Sequence, residues 1–233
     1  GRILTASDDK TARVWEAETG CLLAELKGHA SRVWTATYSP DGSRVLTASW
    51  DHTARVWEAE TGRLLMELKG HTDSVWAASY SPDGSRILTA SGDNTARVWA
   101  AETGRLLAEF KGHVASVRAA TYSPDGKRIL TASDDKTARV WKAETGRLLA
   151  ELKGHADNVW TAMYSADGKR ILTASADHTA RVWDISPETQ TADQIAKLIR
   201  CKAGARFDRE DGTLIVPTLP HPAECLPSLS SSP

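Results

Sequence analysis

The feature that most limits how this chain can fold is a strict internal period. Gly28-His29, Gly70-His71, Gly112-His113 and Gly154-His155 stand 42 residues apart. Thr-Ala-Arg-Val-Trp closes at Trp15, Trp57, Trp99, Trp141 and Trp183 with the same step. A run of the form Ile-Leu-Thr-Ala-Ser begins at Ile3, Val45, Ile87, Ile129 and Ile171. No insertion disturbs the register up to Trp183. Such a period means that one supersecondary unit is copied in tandem, and that each copy buries its apolar faces against its neighbours.

Each unit reads as four short strands. In the second copy these are residues 33–38, 44–49, 53–57 and 63–68. The turn Ser39-Pro40-Asp41-Gly42 has a visible mechanism, since proline presets φ and glycine accepts positive φ. Asp51-His52 and Ala59-Glu60-Thr61-Gly62 supply the other two reversals. Four antiparallel strands, with Gly-His early and Trp late, resemble the WD40 repeat. The resemblance implies an all-β chain: a β-propeller arc spanning residues 1–184, in blades of about 1–27, 28–69, 70–111, 112–153 and 154–184. Only Trp183-Asp184 is a literal Trp-Asp pair; Glu16, Glu58, Ala100 and Lys142 follow the other tryptophans. Both end blades lack strands, so the expectation is an arc of about five blades from a larger protein. A five-bladed ring closed by the tail is the alternative.

After the last copy the period stops. Thr191-Ala192-Asp193-Gln194 resembles a capping box, and Ile195, Leu198 and Ile199 form an apolar stripe, which predicts a short helix near 191–201. A strand is expected at 213–216, a candidate for the missing outer strand of the last blade, making 185–217 a helix-and-strand appendage. Residues 218–233, rich in Pro and Ser, are expected to be disordered.

Composition narrows function chiefly by exclusion. A formal net charge of −1, with both signs interspersed, gives no footprint for nucleic acid. No apolar run approaches the ~18 residues of a membrane span, so no membrane role is expected. Three cysteines at irregular spacing make no disulfide framework, which favours a reducing, cytoplasmic setting.

Ser, His and Asp recur at fixed spacing: His29, Ser49 and Asp51 with Trp57; His71, Ser91 and Asp93 with Trp99; His113, Ser133 and Asp135 with Trp141; His155, Ser175 and Asp177 with Trp183. An enzyme needs one nucleophilic triad, whereas this set occurs four times. The resemblance implies instead a buried hydrogen-bond network in each blade, in which the ring nitrogens of His and the indole N–H find partners. The expectation is no catalytic residue, cofactor or metal. Asp51-His52 and Asp177-His178 lack a third ligand, and Gly126-Lys127 and Gly168-Lys169 sit in hairpin turns rather than phosphate-binding loops. The strand arginines Arg13, Arg55, Arg97, Arg139 and Arg181 read as solvated or paired.

Functional information lies where the copies differ. The residue before the network Asp is Asp8, Trp50, Gly92, Asp134 or Ala176, and the residue after it is Lys10, His52, Asn94, Lys136 or His178. The loop after Gly-His carries Arg32 in one copy. The position after the first strand valine is Trp34, Trp76, Arg118 or Trp160. In a propeller these places converge on one face near the channel mouth, and Trp and Arg are favoured at binding cores. Trp50, Trp34, Trp76, Arg118, Trp160, Asp8, Arg32, His52, Asp134 and His178 are therefore the candidate partner-binding residues. Packing between blades is the competing role for Trp34, Trp76 and Trp160.

The resulting expectation is a non-enzymatic scaffold or sensor module that binds a protein or peptide, with self-association through exposed blade flanks as a further option. The alternative is the regulatory C-terminal part of a multidomain bacterial signalling enzyme of NTPase, kinase, protease-like or TIR type.

Overall fold

The computed structural model describes residues 1–186, together with the backbone of 206–207 and 214–215. Gly1–Ile185 forms one compact unit and Ser186–Pro233 a second. The first unit contains five antiparallel sheets in which strands follow chain order. The first sheet has β1 (Arg2–Ala6), β2 (Thr11–Glu16) and β3 (Leu22–Lys27). The second has β4 (Val33–Tyr38), β5 (Arg44–Ser49), β6 (Ala54–Glu58) and β7 (Leu64–Leu68). The third has β8 (Val75–Tyr80), β9 (Arg86–Ser91), β10 (Ala96–Ala100) and β11 (Leu106–Phe110). The fourth has β12 (Val117–Tyr122), β13 (Arg128–Ser133), β14 (Ala138–Lys142) and β15 (Leu148–Leu152). The fifth has β16 (Val159–Tyr164), β17 (Arg170–Ser175) and β18 (Ala180–Asp184). In the second unit, β19 (Arg206–Phe207) pairs with β20 (Leu214–Ile215). The helix expected near 191–201 and the tail 218–233 lie outside the described residues.

The core sits between sheets rather than within one. Leu46, Ala48, Ala54, Val56 and Leu68 of the second sheet pack against Val75, Ala78, Ile87, Trp99 and Ala101 of the third. The same positions meet at each other junction. A second strand such as β5 is therefore buried on both faces, which explains its continuous Val-Leu-Thr-Ala-Ser run. Alternation decides what each face holds. Leu46 and Ala48 join the junction with the third sheet, while Val45 joins Trp57 at the junction with the first. Thr47 and Ser49 share the Val45 face and bring hydroxyls into it.

Three irregularities recur, one of them a register shift between Val56 and Trp57 that is repeated in the other third-to-fourth-strand pairs. Between the first and second strand of each complete pair, the register skips a residue: Val33 opposes Ser49 and Thr35 opposes Ala48, leaving Trp34 as a bulge. Trp76, Arg118 and Trp160 are the corresponding bulged residues. A bulge frees one side chain from the strict alternation of the pleat and re-aims it. The turns between second and third strands place Lys10, His52, Asn94, Lys136 and His178 at φ of 65 to 71°, a left-handed conformation unusual for residues other than glycine.

Candidate functional site

The polar residues repeated in every blade form a closed network. His29 Nδ1 lies 2.7 Å from Asp51 Oδ2, and His29 Nε2 lies 2.7 Å from Thr47 Oγ1. The Trp57 indole N–H donates to the same Thr47 oxygen at 2.8 Å. One hydroxyl that accepts from an indole can donate its own proton to a ring nitrogen, so the network assigns His29 the Nδ1–H tautomer. Nδ1–H then donates to Asp51 and Nε2 accepts from Thr47. The same geometry holds at His71, Thr89 and Trp99, at His113, Thr131 and Trp141, and at His155, Thr173 and Trp183.

Burial alone would raise the Asp51, Asp93 and Asp135 carboxyls. Hydrogen bonds from the neighbouring His and from Thr53, Thr95 and Thr137 reverse that, holding all three well below the usual carboxylate range. Asp177 is lowered too, chiefly by the Thr179 hydroxyl.

Sequence reasoning placed serine in this chain of bonds. Serine bonds the loop and the Asp backbone, while the hydroxyl that joins His to Trp is a threonine's. Ser49 Oγ donates to the Ser31 carbonyl at 3.2 Å and accepts the Asp51 N–H at 3.1 Å. Ser91, Ser133 and Ser175 do the same in their blades. The reason is strand geometry. Trp57 opposes Val45, so Thr47 is its diagonal neighbour while Ser49 lies a further residue pair away.

The varied positions meet where the third and second sheets adjoin. The Trp34 and Trp50 rings stack with centroids 5.9 Å apart and planes 26° from parallel. Trp76 meets both edge-on, at 5.5 and 5.2 Å. The Arg118 guanidinium lies over Trp76 at 4.2 Å, and that of Arg32 over Trp50 at 4.9 Å. Arg118 donates through Nε and Nη2 to Asp134 Oδ2 at 2.8 and 2.7 Å, and Arg32 reaches Asp8 at 3.5 Å. A continuous line of contacts thus runs from Asp8 in the first blade to Asp134 in the fourth: acid, base, indoles, base, acid.

Trp50 and Trp76 are half-buried, and their indole N–H groups have no hydrogen-bond partner among the described residues. Trp34, at 53% exposure, presents the open surface of the cluster. Trp160 occupies the same bulge in β16 and is 58% exposed, but makes no ring contact with the other three. His52 and His178 are exposed turn residues.

Four stretches, residues 20–58, 62–100, 104–142 and 146–184, match the family model described as WD domain, G-beta repeat. The chain belongs to the WD40 repeat family. Each WD40 match spans the outer strand of one sheet and the inner three strands of the next, so a sequence copy bridges two blades. The fold is similar to the crystal structure of the WD40 beta propeller domain of Doa1, with a TM-score of 0.72 and 27% sequence identity. That match covers 82% of this chain and 63% of the other. No curated protein matches the chain in sequence. WD40 propellers are in general scaffolds for protein interaction. Among the described residues no group of His, Cys, Asp and Glu is arranged to hold a metal, and no helix is long and apolar enough to cross a membrane.

Proposed function

We propose that this WD40 chain binds a peptide or a peptide-like segment of a protein on the face carrying Trp34, Trp50 and Trp76, with Trp34 as the anchor. One observation carries the reading: three indoles contributed by bulges and a turn cluster together, and the most exposed of them faces outward. A half-exposed tryptophan backed by two others is a rigid, apolar surface of the kind that dominates binding energy at interfaces. The ligand class follows from what already occupies the rings. Arg32 and Arg118 lie over Trp50 and Trp76, each facing its own carboxylate. The two rings behind Trp34 are covered from within, and the guanidinium groups on them disfavour a further cation at Trp34, so the surface selects a proline or aromatic ring rather than an ammonium group.

Panning a random peptide library on the whole chain tests this. Enriched peptides are expected to carry Pro or an aromatic residue. Trp34→Ala is expected to weaken their binding by about 2 kcal/mol, the level of an interface hot spot, and to lower stability by only about 1 kcal/mol through the lost ring contacts, so that the chain stays folded. Peptides that bind Trp34→Ala as tightly as the parent would overturn the assignment of this face.

A further inference from the structure

The opposite ends of the strands carry a second kind of feature. All four tyrosines of the chain, Tyr38, Tyr80, Tyr122 and Tyr164, close the innermost strands β4, β8, β12 and β16. Each hydroxyl is buried without a hydrogen-bond partner among the described residues. Phenylalanine would fill the same space without that cost. Tyr122 is only 8% exposed and lines a cleft of about 440 Å³ between the third and fourth blades. Tyr80 lines a corresponding cleft of about 430 Å³ between the second and third. Both volumes suit a small ligand or a single side chain.

The two clefts are built alike and differ in their cations. The cleft at Tyr122 includes Lys127 and Lys142, whereas the residues 42 positions earlier are Ser85 and Ala100. The guanidinium groups differ as well. Arg44 Nη1 donates to the Ala101 carbonyl at 3.1 Å, and Arg128 Nη2 donates to the Gly168 carbonyl at 3.0 Å. The Arg86 guanidinium, beside Tyr122, makes no hydrogen bond or ion pair among the described residues.

Of the three acids of the Tyr122 cleft, Glu144 pairs with Lys142 at 3.6 Å, and the other two are turned back into their own turns. Asp83 accepts from Ser81 Oγ, Ser85 N and Ser85 Oγ. Asp125 accepts from Ser123 Oγ and Lys127 N. Their charge remains, which opposes a dianion, while the unengaged Arg86 guanidinium and the Lys127 ammonium favour a monoanion with two oxygens.

We propose that the cleft between the third and fourth blades is a second binding site, which takes the carboxylate of a peptide on Arg86, Tyr122 and Lys127. The site is independent of the tryptophan face and stands or falls separately from it. The hydroxyl of Tyr122 donates to one carboxylate oxygen, Arg86 forks onto the pair, and Lys127 supplies charge at the rim. The cleft at Tyr80, with Arg44 engaged on backbone and no lysine, serves as its built-in control.

The test is an NMR titration of the whole chain with N-acetylglutamate, following the Arg86 Nε–H and Tyr122 ring signals. N-acetylglutamine serves as the neutral probe and inorganic phosphate as the dianion. Saturable shifts with N-acetylglutamate, their absence with the amide and weaker binding of phosphate are expected. Tyr122→Phe keeps the packing, and Lys127→Ser reproduces the residue of the neighbouring cleft. Each is expected to weaken binding about tenfold, the effect of one charge-assisted hydrogen bond. The thermal midpoint of Tyr122→Phe is expected to stay level or rise, separating a lost ligand contact from a lost fold. No saturation at tens of millimolar, unchanged affinity in both variants, or tighter binding of phosphate would each overturn the proposal.

Discussion

Thr89 carries more of its blade than its size suggests. Its single oxygen serves both the His71 ring and the Trp99 indole. Thr89→Val keeps the shape and strands two buried polar groups, at a cost of about 2–4 kcal/mol. Ser91→Ala removes bonds to the backbone of Asp73 and Asp93 only and is expected to cost about 1 kcal/mol. Urea unfolding of the two variants side by side checks the assignment, since equal losses would mean that serine and threonine share the role. Lys136 makes the opposite case. Its φ of 70° is strained for a side chain with a Cβ. Lys136→Gly is expected to raise stability by about 0.5–1 kcal/mol, the left-handed penalty less the entropy that glycine adds to the unfolded chain. The same unfolding experiment reads it.

At the scale of strands and loops, the link between blades is held by a glycine. Gly70 adopts φ of 141°, and a Cβ there would stand 2.7 Å from Arg97 Nη1. Gly70→Ala is expected to destabilise by about 1–3 kcal/mol through backbone strain alone, measured as a shift in urea midpoint. The strands themselves were legible in the sequence because period, turn chemistry and alternation agree. Residues 33–38 and 44–49 are strands as the pattern predicts. What the pattern could not show is register. The bulge at Trp34 depends on which residue of β4 faces which residue of β5, and only pairing reveals it. For the same reason the sequence singled out Ser49 while Thr47, its neighbour on the same face, makes the link. The candidate tryptophans were found because they break the repeat. The tyrosine clefts were missed because they obey it: every copy has Tyr at that place, and only comparing Arg86 with Arg44 and Arg128 sets one cleft apart.

The molecule as a whole is sensitive to acid through its repeated carboxylates. Asp51, Asp93, Asp135 and Asp177 all titrate below their ordinary value of 3.8 when folded. A depressed carboxyl lends stability above its unfolded pKa and withdraws it as the pH falls towards the folded one. The urea midpoint is therefore expected to hold from pH 7 to about 5 and to drop steeply below about 4. A midpoint that stays level down to pH 2.5 or so would show that these carboxyls titrate alike in both states. The bridging of two blades by each sequence copy has a consequence for how the chain reaches this state. The outer strands β3, β7, β11 and β15 read Leu-Leu-Ala-Glu-Leu-Lys, Leu-Leu-Met-Glu-Leu, Leu-Leu-Ala-Glu-Phe and Leu-Leu-Ala-Glu-Leu. The third strands that receive them are nearly as uniform. A refolding chain therefore offers each outer strand several docking edges of almost equal affinity, on its own molecule or another, and swapped pairings one repeat out of step compete with the native one.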